Sequence, residues 1–197
     1  MTPEQPTPDQ REPGRGAPGV ARASILHSAR AEFARVGYGA ATVRAIARGA
    51  SVDPALVIHY FGSKEALFAA TIADAGFIAD QVRTAFDGPP DAFGERFARA
   101  YFGAWEHPDT SPVLHSVVRS AVSSPAAARV VRTTIESALS ADGASRWSPE
   151  RLNLLGAQVF GIAMARYVIG TEPLASMALD DLVAVVAAPL QTLLEAD

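Results

Sequence analysis

The 197-residue chain has no cysteine, so disulfides, thiolate metal sites and cysteine nucleophiles are excluded together. It does not open on an apolar run, and MTPEQPTPDQ is unlike a secretory signal peptide. No long stretch is apolar throughout. Residues 152–170 come nearest, but Asn153, Gln158 and Arg166 interrupt them, which argues against a membrane span. Strand-like alternation and internal repeats are missing. So are paired carboxylates, a Ser-His-Asp set and a phosphate-binding glycine loop, and no enzyme is expected. His107 and His115 with Glu106 do not have a spacing that gathers three ligands, so neither a metal nor another cofactor is expected.

The composition that remains, 49% hydrophobic and 19% charged, suits a soluble, helix-rich protein with a substantial core. A reducing cytoplasm fits the lack of cysteine. The net charge of −4 speaks against nucleic acid until its distribution is considered. Residues 20–65 carry six basic side chains (Arg22, Arg30, Arg35, Arg44, Arg48, Lys64) against three acidic, whereas residues 66–197 carry nine against fifteen. A basic end on an acidic body would orient the protein on DNA by long-range attraction; ordinary surface scatter is the alternative. Residues 1–19 hold five of the fourteen prolines and no large apolar residue but Met1, which predicts a disordered arm. Arg11 and Arg15 in it could reach a DNA groove or belong to a solvated tail.

Residues 42–68, TVRAIARGASVDPALVIHYFGSKEALF, organise the rest. Thr42 can cap a short helix whose inner face is Val43, Ile46 and Ala47, ending at Gly49. Asp53 can cap a second, with Pro54 at its first position and Val57, Tyr60 and Phe61 inward. Gly62 ends that helix, Ser63 caps the next, and Glu65 suits the positive end of its dipole. Two helices of about two turns cannot hold themselves in water and must lean on neighbours. A helix over residues 22–36, with Ile25, Leu26, Ala29, Phe33 and Val36 on one face and Gly37-Tyr38-Gly39 closing it, supplies that support. Short helix, tight turn, short helix is the helix-turn-helix pattern, whose second helix enters the major groove.

Side-chain chemistry separates the roles. Thr42, Tyr60 and Lys64 stand at element ends and suit phosphate contacts, as do the free N–H groups after Ser63. Arg44, on the outer side of the first short helix, suits guanine O6 and N7. The outer face of the second helix carries Pro54, Ala55, Ile58 and His59. Only His59 can hydrogen-bond a base edge, while Ala55 and Ile58 could touch thymine methyls, so part of the specificity would come from DNA shape.

The segments ILHSARAEFARVGYGAATVRAIARGASV and YFGSKEALF resemble the DNA-binding domain of the TetR family of transcriptional regulators. The likeness covers about residues 21–69, and Tyr60-Phe61-x-Ser63-Lys64-Glu65-x-Leu67 is its most specific part. It implies an all-α protein in which a three-helix head precedes a helical body that binds a ligand and dimerises. Two positions depart from the family's pattern. Ser51 stands where the family usually has Gly, which costs on the order of 1 kcal/mol if that position needs φ > 0. Ile58 stands where the family often has a phosphate-contacting Tyr. The expected division is an arm over residues 1–19, a DNA-binding domain over 20–66 and a body over 67–197.

A long fourth helix is expected over residues 64–86, lined by Leu67, Phe68, Ile72, Phe77, Ile78 and Val82, running from head to body as the coupling element. Five more helices are expected at residues 91–107, 111–122, 125–139, 149–169 and 179–195, started by Asp91, Thr110 or Ser111, Ser124 and Ser148, with a kink at Pro189 in the last. Phe93, Phe97, Tyr101 and Trp105 form a stripe at i, i+4 spacing. By itself the stripe reads as core, but the resemblance implies an inducer cavity here, and Tyr101, Phe102, Trp105, His115, Gln158, Met164 and Tyr167 are the expected lining. The helix over residues 149–169 is apolar nearly all round and reads as buried on both sides. With the last helix it suggests half of a two-fold, four-helix interface built on Leu152, Leu155, Val159, Leu182, Val186 and Leu190; a sheltered core helix in a monomer is the alternative.

The reading is a homodimeric, ligand-responsive regulator, a repressor of a palindromic double-stranded DNA operator, released by a small apolar or amphipathic effector. A small-molecule sequestering protein with little operator recognition is the rival.

Overall fold

The computed structural model describes residues 18–74, 84–139 and 147–195; residues 1–17 of the expected arm, and residues 75–83 of the expected fourth helix with Phe77, Ile78 and Val82 on it, lie outside them, while residues 18 and 19 of the expected arm begin the first helix. Among the described residues every regular element is helical.

Helix α1 (Pro18–Ala40) starts earlier than its apolar face requires and is broken at Gly37, whose φ of 76° and ψ of 165° only glycine adopts readily. Its buried face is Ile25, Leu26, Ala29 and Phe33. The short helices α2 (Val43–Gly49) and α3 (Pro54–Phe61) follow with the caps their sequences call for. Thr42 accepts the Ala45 N–H at 3.1 Å and Asp53 accepts the Ala55 N–H at 2.7 Å. Between them Ser51 takes φ = 55°, so the position does need the left-handed value and serine bears the cost of it. Gly62, with φ = 77°, ends α3 through its N–H to the Ile58 carbonyl. Ser63 then caps α4 (Lys64–Asp74), accepting the Ala66 N–H at 3.0 Å.

In the body, residues 84–86 are helical. Asp91 does not cap the next helix as expected: it lies in a 3-10 turn (Pro90–Ala92), and α5 (Phe93–Glu106) starts after it without a side-chain cap. The cause lies one step upstream, where consecutive prolines fix the entry to the helix and Arg96 ties it down through the Pro89 carbonyl at 2.6 Å. Helix α6 (Ser111–Ser123), α7 (Pro125–Leu139), α8 (Pro149–Ala163) and α9 (Leu179–Glu195) complete the order. Thr110 precedes α6 without capping it, its hydroxyl instead donating to the Ala104 carbonyl. The last six residues of the expected 149–169 helix form a π segment (Met164–Ile169), closed by left-handed Gly170. Pro189 lies inside α9, which continues through it.

Two buried clusters hold these elements. The head cluster gathers Ile25, Phe33, Ile46, Val57, Leu67 and Phe68, and Ala127 of α7 joins it from the body. The body cluster joins Phe93, Phe97, Phe102 and Trp105 of α5 to α8 and α9. Helix α9 packs along α5, and Gly94 permits their closest approach: a side chain there would collide with the Ala187 carbonyl, and its N–H reaches Gln191 Oε1 at 2.9 Å. Head and body meet where α1 packs on α6 and α4 on α7.

The expected interface residues require correction. Leu152, Leu155, Val159, Leu182, Val186 and Leu190 are all buried within the protomer, where they fill the body core. The same two helices expose Leu154, Phe160 and Val185 on their other side, so α8 is not buried all round. A helix that is apolar on both faces gives no sequence signal for which face turns inward; α5 and its aromatic stripe decide it.

Candidate nucleic-acid interface and effector cluster

The capped helices α2 and α3 pack on one another. Of the expected contact residues Thr42, Arg44, Ala55, Ile58 and His59 are exposed, and Pro54, Tyr60 and Lys64 are half-buried. Thr42 caps α2 through its oxygen, leaving its hydroxyl proton free to donate to a phosphate. His59 and Tyr60 rings meet edge to face at 5.6 Å.

Lys64 is held more closely than its position at a helix start suggests. Its Nζ donates to the Ala41 carbonyl at 2.8 Å and sits 4.4 Å from the centroid of the Tyr38 ring. The Tyr38 hydroxyl in turn donates to Glu65 at 2.8 Å. That bond lowers the Glu65 pKa, and burial, with Glu65 second, pushes Tyr38 up to about 12. In the sequence Tyr38 stands only as part of the Gly37-Tyr38-Gly39 helix end. Arg22, counted there only as charge, lies over the Phe61 ring at 5.4 Å, at the end of α3.

In the body, six of the seven expected pocket residues come together. The Trp105 and Tyr167 rings are parallel, 3° apart with centroids at 5.4 Å, and His115 meets Trp105 edge-on at 5.4 Å. Phe102 and Tyr101 are in edge contact at 5.4 Å. Met164 packs against the same core, whereas Gln158 is exposed and takes no part. Gln158 falls on the outer side of α8, beside Ala157, because Leu155 and Val159 face inward.

The polar element of this cluster is one that sequence reading scattered. Arg166 is buried in the π segment and donates to Glu106 at 2.8 Å and to the Leu174 carbonyl at 2.5 Å, while the Tyr167 hydroxyl donates to Glu106 at 3.0 Å. A buried cation needs such partners. Burial also raises the Tyr101 and Tyr167 hydroxyls to about 12. His107 and His115 do not share a metal site with Glu106; among the described residues no group of three such ligands occurs.

Two depressions lie outside this cluster. One is a void of about 10 Å³ between head and body lined by Arg30, Phe33, Phe68, Thr71, Val113, Ser116 and Val117. The other is an open groove of about 230 Å³ bordered by Arg96 and Arg99.

Comparison with known proteins decides the family. Residues 25–71 match the model of bacterial regulatory proteins of the tetR family, and residues 91–194 match the tetracyclin repressor-like C-terminal domain. The chain belongs to the TetR family of transcriptional regulators. A TetR-family regulator from Streptomyces coelicolor is 32% identical, with a TM-score of 0.72 over 95% of this chain and 99% of that one. The HTH-type transcriptional regulatory protein RaaS of Mycobacterium tuberculosis is 44% identical over 70 residues, 36% of this chain; the match spans about a third of RaaS, 31% of its length. The fold, though not close sequence, is shared with the multidrug binding protein EbrR solved with malachite green (19% identity, TM-score 0.63, 88% of this chain and 97% of that one). A TetR-family regulator binds DNA through its helix-turn-helix, which here is the α2–α3 surface.

Proposed function

We propose that this TetR-family regulator is a homodimeric repressor that binds a palindromic operator and leaves it when a small effector enters the body. In this reading residues 20–66 form the DNA module, residues 67–197 bind the effector and dimerise, and the residues ahead of α1 are an arm. It works in the cytoplasm, where the DNA is, and carries out no chemical step. The observation that carries the reading is the α2–α3 surface: Arg44 and His59 exposed for base edges, with Thr42, Tyr60 and Lys64 around them for phosphates.

The dimer face moves to the exposed side of α8 and α9. Leu154, Phe160 and Val185 are 57%, 45% and 64% exposed there. Residues Pro149–Ile169 are long and apolar enough to cross a membrane by length and composition alone, with a mean hydropathy of 1.4. A second copy of this chain accounts for that apolar side equally well, and the inner side already packs on α5 and α9. The effector is apolar or amphipathic and takes its place among Tyr101, Phe102, Trp105, His115, Met164 and Tyr167, a wall of rings with few polar groups. EbrR, a multidrug binding protein of the same fold, was solved with malachite green and with ethidium, which supports a small-molecule effector for this body.

The rival is a sequestering protein that makes little use of DNA, favoured by the exposed Ile58 and the single base-reading donor on α3. Fluorescence anisotropy with a random-sequence duplex at rising salt tests the reading. An acidic protein with a basic head should bind with an affinity that falls steeply as salt rises. No binding, or binding indifferent to salt, would favour the rival.

A further inference from the structure

The seam between head and body, apolar through Val117, Ala127, Val130 and Val131, also carries buried polar groups. On α6 two serines one turn apart, Ser116 and Ser120, are buried facing the head, at 4% and 0% exposure. Ser116 borders the water-sized void with Arg30 and Thr71. Ser120 makes a direct bond. The non-helical turn at Gly37 swings the next N–H out of the α1 ladder, and Ser120 Oγ accepts that Tyr38 N–H at 3.1 Å across 82 residues. A buried N–H left without an acceptor carries its full desolvation cost, so this bond fixes where residue 38 lies.

What Tyr38 holds is the cation of the head. Its ring, packed on Phe68 at 5.0 Å and Phe33 at 6.0 Å, lies under Lys64, and Lys64 bonds the Ala41 carbonyl three residues further along the same turn. Lys64 is the sole lysine of the chain, and a free lysine side chain is among the most mobile. The cradle holds its ammonium beside Thr42 and the start of α4, where a phosphate would land.

We propose that Ser120 of the body, acting through Tyr38, is a positioning residue for the Lys64 contact with DNA phosphate. The inference rests on the reading of Lys64 as a phosphate contact. It places part of the DNA-binding geometry on α6, the helix whose His115 touches the Trp105 ring, so that a shift of α6 reaches both the effector cluster and the phosphate contact.

The test uses the full chain labelled with 13C-lysine, which gives one Cε–Hε correlation. In the wild type this signal is displaced upfield by the Tyr38 ring; in Ser120→Ala it moves toward the position of an unfolded chain. A signal at the unfolded-chain position in the wild type, or one unmoved by Ser120→Ala, overturns the proposal. In anisotropy with duplex DNA, Lys64→Gln lowers the slope of log affinity against log salt by about one unit. Ser120→Ala lowers it by the same amount, and the double variant by no more than either. Slopes that add in the double variant, or are untouched by Ser120→Ala while the wild type binds DNA, remove this inference alone. A wild type that binds no DNA removes the phosphate contact and this inference together.

Discussion

Arg166 and Glu106, sixty residues apart, close a half-buried ion pair at 2.8 Å between the π segment after α8 and the end of α5. The Arg166 side chain is 7% exposed and that of Glu106 36%, so the cation is the partner that cannot return to water. Glu106→Ala should therefore lower the unfolding free energy by about 1–3 kcal/mol, less than a fully buried pair would lose because Glu106 is partly solvated. Arg166→Met combined with Glu106→Leu should recover most of it. Urea titration of the three proteins checks both.

Ser51 has the backbone φ of 55° that the turn before α3 demands. Ser51→Gly relieves that strain against glycine's own entropy cost in the unfolded chain, and the net gain should be about 0.5–1 kcal/mol. It should appear as a higher denaturation midpoint with an unchanged slope, and DNA affinity should stay as it was.

Much of the head was legible in the sequence because its signals are local. Thr42, Asp53 and Ser63 accept the N–H groups that capping residues accept, and the turn where Ser51 replaces glycine is visible in the sequence, though only the structure gives its positive φ. The body was less so, because its decisions are tertiary. Nothing in the order of residues says that Leu155 faces α5 and Leu154 faces outward, or that Gln158 lies outside. Arg166 read as an interruption and Glu106 as a weak metal candidate until their helices brought them together. Tyr38 looked like a helix end because its partners, Glu65 and Ser120, are 27 and 82 residues away.

The two faces of α8 and α9 predict opposite consequences of a buried charge. Val185→Glu, on the exposed side, should give a folded monomer of low DNA affinity. Leu155→Glu, on a side chain 1% exposed, should unfold the protomer instead. Light scattering together with circular dichroism separates the two; a folded monomer from Leu155→Glu would contradict the assignment of faces.

Three of the four tyrosines, Tyr38, Tyr101 and Tyr167, have hydroxyl pKa values pushed up to about 12, first of all by burial. A folded-state pKa above the unfolded value of about 10 means stability that is complete below pH 10 and lost as pH rises through 12. Phenolate absorbance should lag behind that of a free tyrosine and then rise together with unfolding. Ionisation of Tyr38, Tyr101 and Tyr167 near pH 10 in the folded protein would contradict it.

Roles within the head should separate once an operator is known. Arg44→Ala should relax preference at particular base pairs, by about 1–3 kcal/mol of discrimination, while Lys64→Gln weakens binding to every sequence alike. Competition assays with single-base operator variants check the difference; equal effects on all sequences from both substitutions would remove the division.

Selection of bound duplexes from a random pool at near-physiological salt, followed by sequencing, tests the regulator reading most directly. A two-fold protein with one head per half-site predicts a palindrome whose half-sites are centred about 34–36 Å apart, one helical turn, or a multiple of it. Recovery of no common motif from a protein that is dimeric in solution would contradict the account.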